Sequence, residues 1–140
     1  MTKPARCSTC ALCAMRMTQP SASKGSEVIF LGISPEGRVA FKDYGGTLVR
    51  GLLRDHENPL VKKMEPRVGF SYAVWCKPEE DENLKKSTVS HCRDNMSMDW
   101  LERIKPKVIL AFGGQDLAAF FGTSSQKKGD MRGTVYKHRW

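Results

Sequence analysis

The sequence lacks any apolar run that approaches the roughly 20 residues of a membrane-spanning helix. Its first residues also lack the continuous hydrophobic segment of a secretory signal. These two absences predict an intracellular, cytoplasmic protein with no membrane partner. Internal repeats are absent as well, and the 140 residues suffice for one domain with its own core but not for two.

Acidic residues are scarce at both ends of the chain, where basic residues collect. Residues 1–26 contain four Lys or Arg and no acid, a charge of +4. Residues 127–140 contain five Lys or Arg and one Asp, again +4, so the two ends account for the whole net charge of +8. A polyanion gains from contact with such segments, and we therefore expect DNA as a partner. Solubility alone is the other reason for charged chain ends.

A second closely spaced cysteine pair is also missing, although the chain has five cysteines. Cys7, Cys10 and Cys13 lie together near the start, whereas Cys76 and Cys92 are sixteen residues apart. In a chain without an export signal, such thiols indicate metal ligands rather than disulfides. Four sulfurs suit Zn²⁺ or an iron–sulfur cluster, and the wide second pair favours a cluster held by separate loops. A ligand set that includes Cys13, a zinc site, and scattered buried thiols are the alternatives.

Short apolar runs alternate with amphipathic segments along the chain. The runs predict buried strands over residues 27–31, 66–76 and 107–112, and a last short strand over 132–136. Helical spacing predicts helices over 47–54, 98–104 and 115–121, with a polar flexible linker over 18–26 and a polar loop over 77–90. His91, just after this loop, is expected on the surface. The alternation is typical of an α/β fold whose mostly parallel sheet is covered on both faces.

The predicted strands end in loops that would meet at one edge of the sheet. In a parallel sheet the carboxyl ends of the strands lie side by side, and ligands gather there. The ends expected at this edge are residues 32–36, 72–76 and 112–114. We therefore expect cysteines and glycine loops to share that edge.

Several weak motifs follow one another over nearly the whole chain. A C-x2-C-x-L hook precedes a strand that enters a G-x-x-P loop, and a Phe is then followed by Gly and Leu. A strand ends in Cys-Lys-Pro, another cysteine precedes P-K-V-I, and a glycine with a short helix leads to a late Arg-Gly. In this sequence the motifs are Cys7, Cys10 and Leu12; Gly32 and Pro35; Phe41, Gly46 and Leu48; Cys76, Lys77 and Pro78; Cys92 and 106–109; and Gly113, 117–122, Arg132 and Gly133. In this order and with this cysteine spacing, the chain resembles the iron–sulfur uracil-DNA glycosylases, in the thermophile and phage-type branch of that superfamily.

The resemblance implies a single domain over residues 1–140 with a three-layer α/β/α architecture. Its parts would be a cysteine hook and linker over 1–26, an α/β core over 27–136 and a basic tail over 137–140. The resemblance also implies a structural 4Fe-4S cluster that fastens the hook and the 77–91 loop to the sheet edge, with Zn as the alternative metal. The implied ligands are Cys7, Cys10, Cys76 and Cys92, and Cys13 is the spare thiol and alternative ligand.

The family's activity is hydrolysis of the bond between uracil and deoxyribose, with the nucleotide flipped out of the duplex. By this resemblance, Phe41 matches the platform on which the base stacks. A core phenylalanine beside a glycine turn is the alternative interpretation. The resemblance and the basic tail together give the expected base- and DNA-binding residues, which are Gly32, Phe41, Gly46, Tyr72, Arg132, Lys137 and Arg139.

Several positions depart from the family's catalytic pattern. Ile33 stands where active relatives have an acidic residue, and Tyr72 stands where they have an asparagine. An isoleucine cannot orient water, and a phenol cannot make an amide's paired contacts with a pyrimidine edge. No histidine-proline motif follows Arg132 in the sequence, which leaves Ser34 and Glu36 as the candidate catalytic residues.

These departures favour a DNA-binding relative whose base-excision activity is degraded or lost. A protein partner in replication or repair is a further expectation. An active uracil-DNA glycosylase is the first alternative, and a zinc-stapled regulatory or inhibitory protein is the second. Because the resemblance includes a phage-type branch, a phage-borne module that acts in the host cytoplasm is also among the expectations.

Overall fold

The structure is a computed structural model that describes residues 3, 5–22, 24–35, 40–41, 44–78, 84–112 and 120–122. Each described strand is separated from the next by helices. In chain order the elements are a 3₁₀ helix at Ala5–Thr9, β1 at Val28–Gly32, α1 at Tyr44–Arg54, α2 at Pro59–Met64, a 3₁₀ turn at Glu65–Arg67, β2 at Val68–Tyr72, α3 at Lys86–Cys92, a π-helical turn at Arg93–Ser97, α4 at Met98–Ile104 and β3 at Val108–Ala111.

The three strands form a parallel sheet in the order β2-β1-β3. Val28 of β1 lies opposite Val68 of β2 on one side and opposite Val108 of β3 on the other. Parallel strands need crossover connections, and here α1 and α2 join β1 to its neighbour β2, while α3 and α4 join β2 to β3 on the other side of β1. The predicted α/β fold with a parallel sheet is confirmed.

β1 is the central strand, and its sequence explains this place. All five of its residues are buried, and Ile29 and Leu31 have no exposed surface. A strand with neighbours on both sides and cover on both faces needs a continuous apolar run rather than alternating polarity. The buried strand predicted from this apolar run is therefore confirmed.

Glu27 ties the amino ends of the three strands together. Its carboxylate accepts hydrogen bonds from Lys107 Nζ at 3.1 Å and from the Arg67 guanidinium at 3.5 Å. Its backbone N–H also donates to the Arg67 carbonyl at 2.8 Å. The hydrogen bond from Lys107, with the charge of both cations, holds the pKa of the Glu27 carboxyl below its usual value.

α3, the π-helical turn and α4 follow one another without a break between β2 and β3. The Ser97 hydroxyl donates to the Ala73 carbonyl at 3.0 Å, which fastens this helical segment to the end of β2. α4 ends where Lys105 adopts a left-handed conformation, with φ of 51°, and Pro106 follows as predicted. The helical segment contributes to the core with Val89, Met96, Trp100 and Leu101.

The prediction of a flexible polar linker over residues 18–26 is wrong for its first part. Residues 17–22, which we call the strap, run antiparallel to β2 along its outer edge. Ser21 N–H donates to the Phe70 carbonyl at 2.8 Å, and Phe70 N–H donates to the Ser21 carbonyl at 2.7 Å. The edge of β2 offers unpaired backbone groups to any neighbouring segment, and backbone pairing does not depend on apolar side chains.

β2 is shorter than the strand predicted over residues 66–76, and the polar loop predicted over 77–90 is shorter too. The ladder with β1 ends at Tyr72. The chain then turns to donate from Ala73 N–H to the Gly32 carbonyl at 2.8 Å. The predicted loop ends early because α3 begins at Lys86.

Two predicted apolar faces are more exposed than expected. β3, at the edge of the described sheet, was expected to be buried, yet Val108, Leu110 and Phe112 expose 47%, 42% and 48% of their surfaces. α1 is helical as predicted, but Leu48 and Leu52 lie on its exposed side. A continuous apolar run therefore does not distinguish a central strand from an edge strand.

The predicted helix over 115–121 and the predicted strand over 132–136 lie outside the described residues, except near Phe120. Phe120 is buried and helical, and Gly122 has a φ of 73°. That left-handed conformation is typical of a glycine that ends a helix, as predicted. Across the described ranges, none of the helices is long and apolar enough to cross a membrane.

Candidate metal centre

The cysteine hook is a series of tight turns at the amino end of the chain. Cys10 N–H donates to the Cys7 carbonyl at 3.1 Å, and Cys13 N–H donates to the Cys10 carbonyl at 2.9 Å. Bonds of this three-residue step bring residues three apart to the same side of the turn, so the C-x2-C spacing aligns its two thiols. Leu12, which is 3% exposed, anchors the hook in the core.

Two further segments bring the downstream cysteines to the hook. Cys76 lies just past β2, where it forms an antiparallel bridge with Met17 of the strap. The next residue, Lys77, donates its N–H to the Arg16 carbonyl at 3.0 Å. Cys92 is the last residue of α3. The strap thus holds the hook beside the carboxyl end of β2.

All five cysteines line one cavity at this meeting point. The cavity encloses about 360 Å³ of empty space, its opening to solvent included. Cys92 is buried, Cys7, Cys10 and Cys76 are half-buried, and Cys13 is exposed. The remaining lining residues are Lys3, Leu12, Met17, Val74, Trp75, His91 and Met96. Thiols that are up to 85 residues apart in the sequence, from Cys7 to Cys92, therefore face a common space.

Burial governs the protonation of the two downstream thiols. Loss of hydration raises the pKa of the Cys76 thiol and raises that of Cys92 to about 11. A hydrogen bond from the Trp75 backbone, and one between the Cys92 Sγ and the Ser97 Oγ 4.0 Å away, oppose the rise at Cys92. Both thiols are therefore protonated at neutral pH, and a metal that binds them must displace those protons.

The Lys3 ammonium lies between the hook and Cys76. It donates to the carbonyls of Leu12 at 3.3 Å, of Cys13 at 2.5 Å and of Met15. Its charge also acts on the Cys76 thiol, where it opposes the rise in the pKa caused by burial. A fixed positive charge therefore faces the cavity from the hook side.

The indole N–H of Trp75 bears on whether the cavity suits a group that is bound by sulfur. Its indole Nε1–H is buried and has no hydrogen-bond partner in the described part of the chain, and Trp75 itself lines the cavity. A buried donor left unpaired costs about 1–3 kcal/mol. Sulfur already serves as an acceptor here, because Leu12 N–H donates to the Cys10 Sγ at 3.5 Å. The residues fit a group that is held by thiolates and brings further sulfur acceptors, as an iron–sulfur cluster does.

A single-ion geometry is not preformed in the cavity. Within the described ranges, no three His, Cys, Asp or Glu side chains are gathered closely enough to hold one metal ion. Four thiolates at about 2.3 Å from a zinc ion would lie about 3.8 Å from one another. The cavity offers soft donors, and the thiols would have to turn toward the bound group.

The predicted base-binding residues Gly32, Phe41 and Tyr72 meet beyond the carboxyl ends of β1 and β2. The rings of Phe41 and Tyr72 stack with their centroids 5.0 Å apart and their planes at 13°. The Tyr72 hydroxyl accepts a hydrogen bond from Phe41 N–H at 3.0 Å. A Cβ at Gly32 would lie 2.9 Å from the Tyr72 ring. Both rings are buried, so Tyr72 covers a face of Phe41 on which a base would otherwise stack.

Phe41 is held in a strained backbone conformation by its surroundings. Its φ of 52° lies in the left-handed region, which residues other than glycine rarely adopt. Gly46 is pressed against the Phe41 carbonyl, and a Cβ there would overlap it. The Arg50 guanidinium donates to the carbonyls of Phe41 at 3.5 Å and Ala40 at 3.3 Å, and it lies 3.8 Å from the centre of the Phe70 ring. The phenylalanine–glycine spacing indicated this turn, but no motif pointed to Arg50.

Of the remaining predicted site residues, Ser34 is the one that the structure describes. Ser34 is half-buried in the loop after β1 and is not among the residues that line the cysteine cavity. Glu36, Arg132, Lys137 and Arg139 lie outside the described residues. The catalytic and basic-tail predictions that rest on them therefore stay predictions.

Three cavity residues were missed by the sequence analysis. His91 was expected on the surface, and this is wrong, because it lies on α3, is half-buried and lines the cavity. Trp75 and His91 each precede a predicted ligand by one residue, and this adjacency is the signal that would have found them. Lys3 carries no such signal, because its position depends on how the hook folds back.

No family model matches the chain, and no curated protein shows significant similarity to it. The function is accordingly inferred from the residues and from the geometry described above.

Proposed function

We propose that this protein is a DNA-binding relative of the iron–sulfur uracil-DNA glycosylases, with a structural 4Fe-4S cluster and degraded or lost base excision. The observation that carries the proposal is the single cavity lined by Cys7, Cys10, Cys76 and Cys92. These thiols come from three separate segments, namely the hook, the end of β2 and the end of α3.

The cluster, when bound, supplies a cross-link among those three segments rather than a reacting centre. Cys7 and Cys10 hold the hook, Cys76 holds the end of β2, and Cys92 holds the carboxyl end of α3. Cys13 is exposed and serves as the spare thiol. Among the described residues, the hook is joined to the core by the backbone bonds of the strap and by the packing of Leu12 and Met15. A cluster held by all three segments would therefore add to the stability of the hook.

Basic residues in the segments that carry the cysteines support DNA as the partner. Lys3 lines the cavity. Arg16 and Lys77 are neighbours, since Lys77 N–H donates to the Arg16 carbonyl. Lys85 and Lys86 lie at the start of α3. A surface of this charge gains free energy by displacing counterions from the phosphate backbone, and the net charge of +8 favours the same class of partner.

The stacked pair of Phe41 and Tyr72 supports the loss of excision. A flipped uracil would need the ring face that Tyr72 covers, and Tyr72 also replaces the amide that would read the pyrimidine edge. Ile33 cannot polarise a water for attack at the sugar. Two positions that the resemblance assigns to the pocket chemistry, Ile33 and Tyr72, are therefore replaced, and the stacking face of Phe41 is covered, while the cysteine set is retained.

The test is an anaerobic purification that is assayed for DNA binding and for uracil excision on single- and double-stranded DNA. We expect DNA binding without release of uracil. Cys76→Ala should lose the metal and weaken DNA binding, whereas the matched control Cys13→Ala should keep both. Release of uracil by the unmodified chain would establish the active-glycosylase alternative. A colourless protein with one zinc would favour the zinc-stapled alternative.

A further inference from the structure

We propose that Lys3 is the internal counter-ion of the cysteine site, which holds the hook in place before metal binds and balances the thiolates once it has bound. The first role depends on the described contacts alone. The second role rests on the proposed function, because it requires a thiolate-bound group in the cavity.

Lys3 binds the hook through three backbone carbonyls. An ammonium group has three N–H donors, and Lys3 directs them at the carbonyls of Leu12, Cys13 and Met15. These carbonyls follow the C-x2-C step, where the chain turns away from the hook. Charge-assisted bonds of this kind are roughly twice as strong as neutral ones. Lys3 therefore holds the end of the hook in its folded conformation.

The sheet side of the site is the end of β2, where Cys76 lies. Lys3 and Cys76 line the same cavity, and Cys76 forms an antiparallel bridge with Met17 of the strap. The ammonium that is bonded to the hook carbonyls therefore also faces the cavity that the second segment lines. In the metal-free protein these bonds keep the hook folded beside Cys76, which shortens the search for ligands during loading.

The negative charge of the metal-loaded site would also be balanced by Lys3. Four thiolates outnumber the positive charge of either a zinc ion or a four-iron core, so the loaded site is anionic whichever metal it holds. A fixed cation in a half-buried cavity is screened less than one in open water, and Lys3 lines the cavity. The inference is thus independent of the choice between iron and zinc.

The test compares Lys3→Met, which keeps most of the unbranched apolar side chain but removes its charge and its N–H donors, with Lys24→Met. Lys24 also lies in the basic first 26 residues, but it is exposed and does not line the cavity. Hydrogen exchange of the metal-free full chain is measured at the amides of Cys10, Cys13 and Met15. We expect about tenfold faster exchange in Lys3→Met, with Lys24→Met unchanged.

The central strand provides the internal reference, because amides of Ile29 and Leu31 report global opening. Faster exchange that spreads equally to these amides would contradict a local role for Lys3, as would hook exchange equal to that of the parent chain. Lys3→Arg, which keeps the charge, should restore most of the protection.

In the loaded protein, Lys3→Met should lose its metal to a chelator several times faster than Lys24→Met does. Equal rates of loss would overturn the counter-ion role. Failure of the unmodified chain to bind iron or zinc would refute the proposed function, while the exchange experiment would still decide whether Lys3 holds the hook.

Discussion

Replacing Tyr72 by alanine tests whether its ring fills the space beside Phe41. Tyr72 is 4% exposed, and truncation of a buried aromatic side chain to alanine costs about 3–5 kcal/mol. The change also leaves the buried Phe41 N–H without its acceptor. An unpaired buried donor costs about 1–3 kcal/mol, and part of this cost adds to the loss of stability. We therefore expect Tyr72→Ala to lower the free energy of unfolding by about 4 kcal/mol or more.

Tyr72→Phe separates the two contributions. It keeps the ring that stacks at 5.0 Å on Phe41 and removes only the hydroxyl that accepts from Phe41 N–H. The expected loss is about 1–2 kcal/mol. Urea titrations of the parent chain and both variants, analysed at constant m-value, give these differences directly.

Small molecules that fill the gap in Tyr72→Ala provide a second test of the packed-ring explanation. Tyr72→Ala should leave an apolar, ring-sized gap beside Phe41 and Gly32, and such gaps bind planar molecules. Added uracil or indole should therefore raise the denaturation midpoint of Tyr72→Ala but not that of the parent chain. A loss below about 1 kcal/mol in Tyr72→Ala, with no rescue by either compound, would refute the packed-ring explanation for the loss of excision.

Three further predictions concern the metal, the charge and the pH response. Cys76→Ala should lose bound metal and show increased proteolysis near α3, while Cys13→Ala retains the metal; full metal content in Cys76→Ala would remove that residue from the ligand set. The affinity for DNA should fall steeply as salt rises, measured by fluorescence anisotropy, and salt-insensitive binding would contradict contacts to phosphates. Because Lys107 and Arg67 lower the pKa of the Glu27 carboxyl, its contribution to stability is present above the ordinary pKa of 4.5 and is lost as pH falls through the lower folded value. Thermal melts of Glu27→Gln should therefore show a smaller acid-induced decrease than those of the parent chain, and identical pH profiles would contradict this assignment.

The elements that could be predicted from the sequence are those in which side-chain polarity determines the structure. β1 was predicted because a central strand needs an unbroken apolar run, and Ile29 and Leu31 are fully buried. The end of α4 was predicted because Pro106 cannot continue a helix. The strap was not predicted, because Ser21 is held to Phe70 by backbone bonds that a polar sequence does not reveal.

The candidate site was predicted to a similar extent. The C-x2-C step and the two later cysteines indicated a shared metal site, and these residues do line one cavity. The spacing of Phe41 and Tyr72 did not reveal that the second ring covers the first, because stacking depends on the register of β2 against β1. The role of Lys3 was equally hidden, since it arises from carbonyl directions in the folded hook.

The most direct measurement is the iron and inorganic sulfide content of the anaerobically purified chain, determined together with its visible spectrum. A cluster held by four of the five cysteines that line the cavity predicts about four iron and about four sulfide per chain, with a brown colour that is lost in Cys92→Ala. A colourless protein with one zinc, or one with no metal at all, would contradict the cluster and leave only the α/β fold standing.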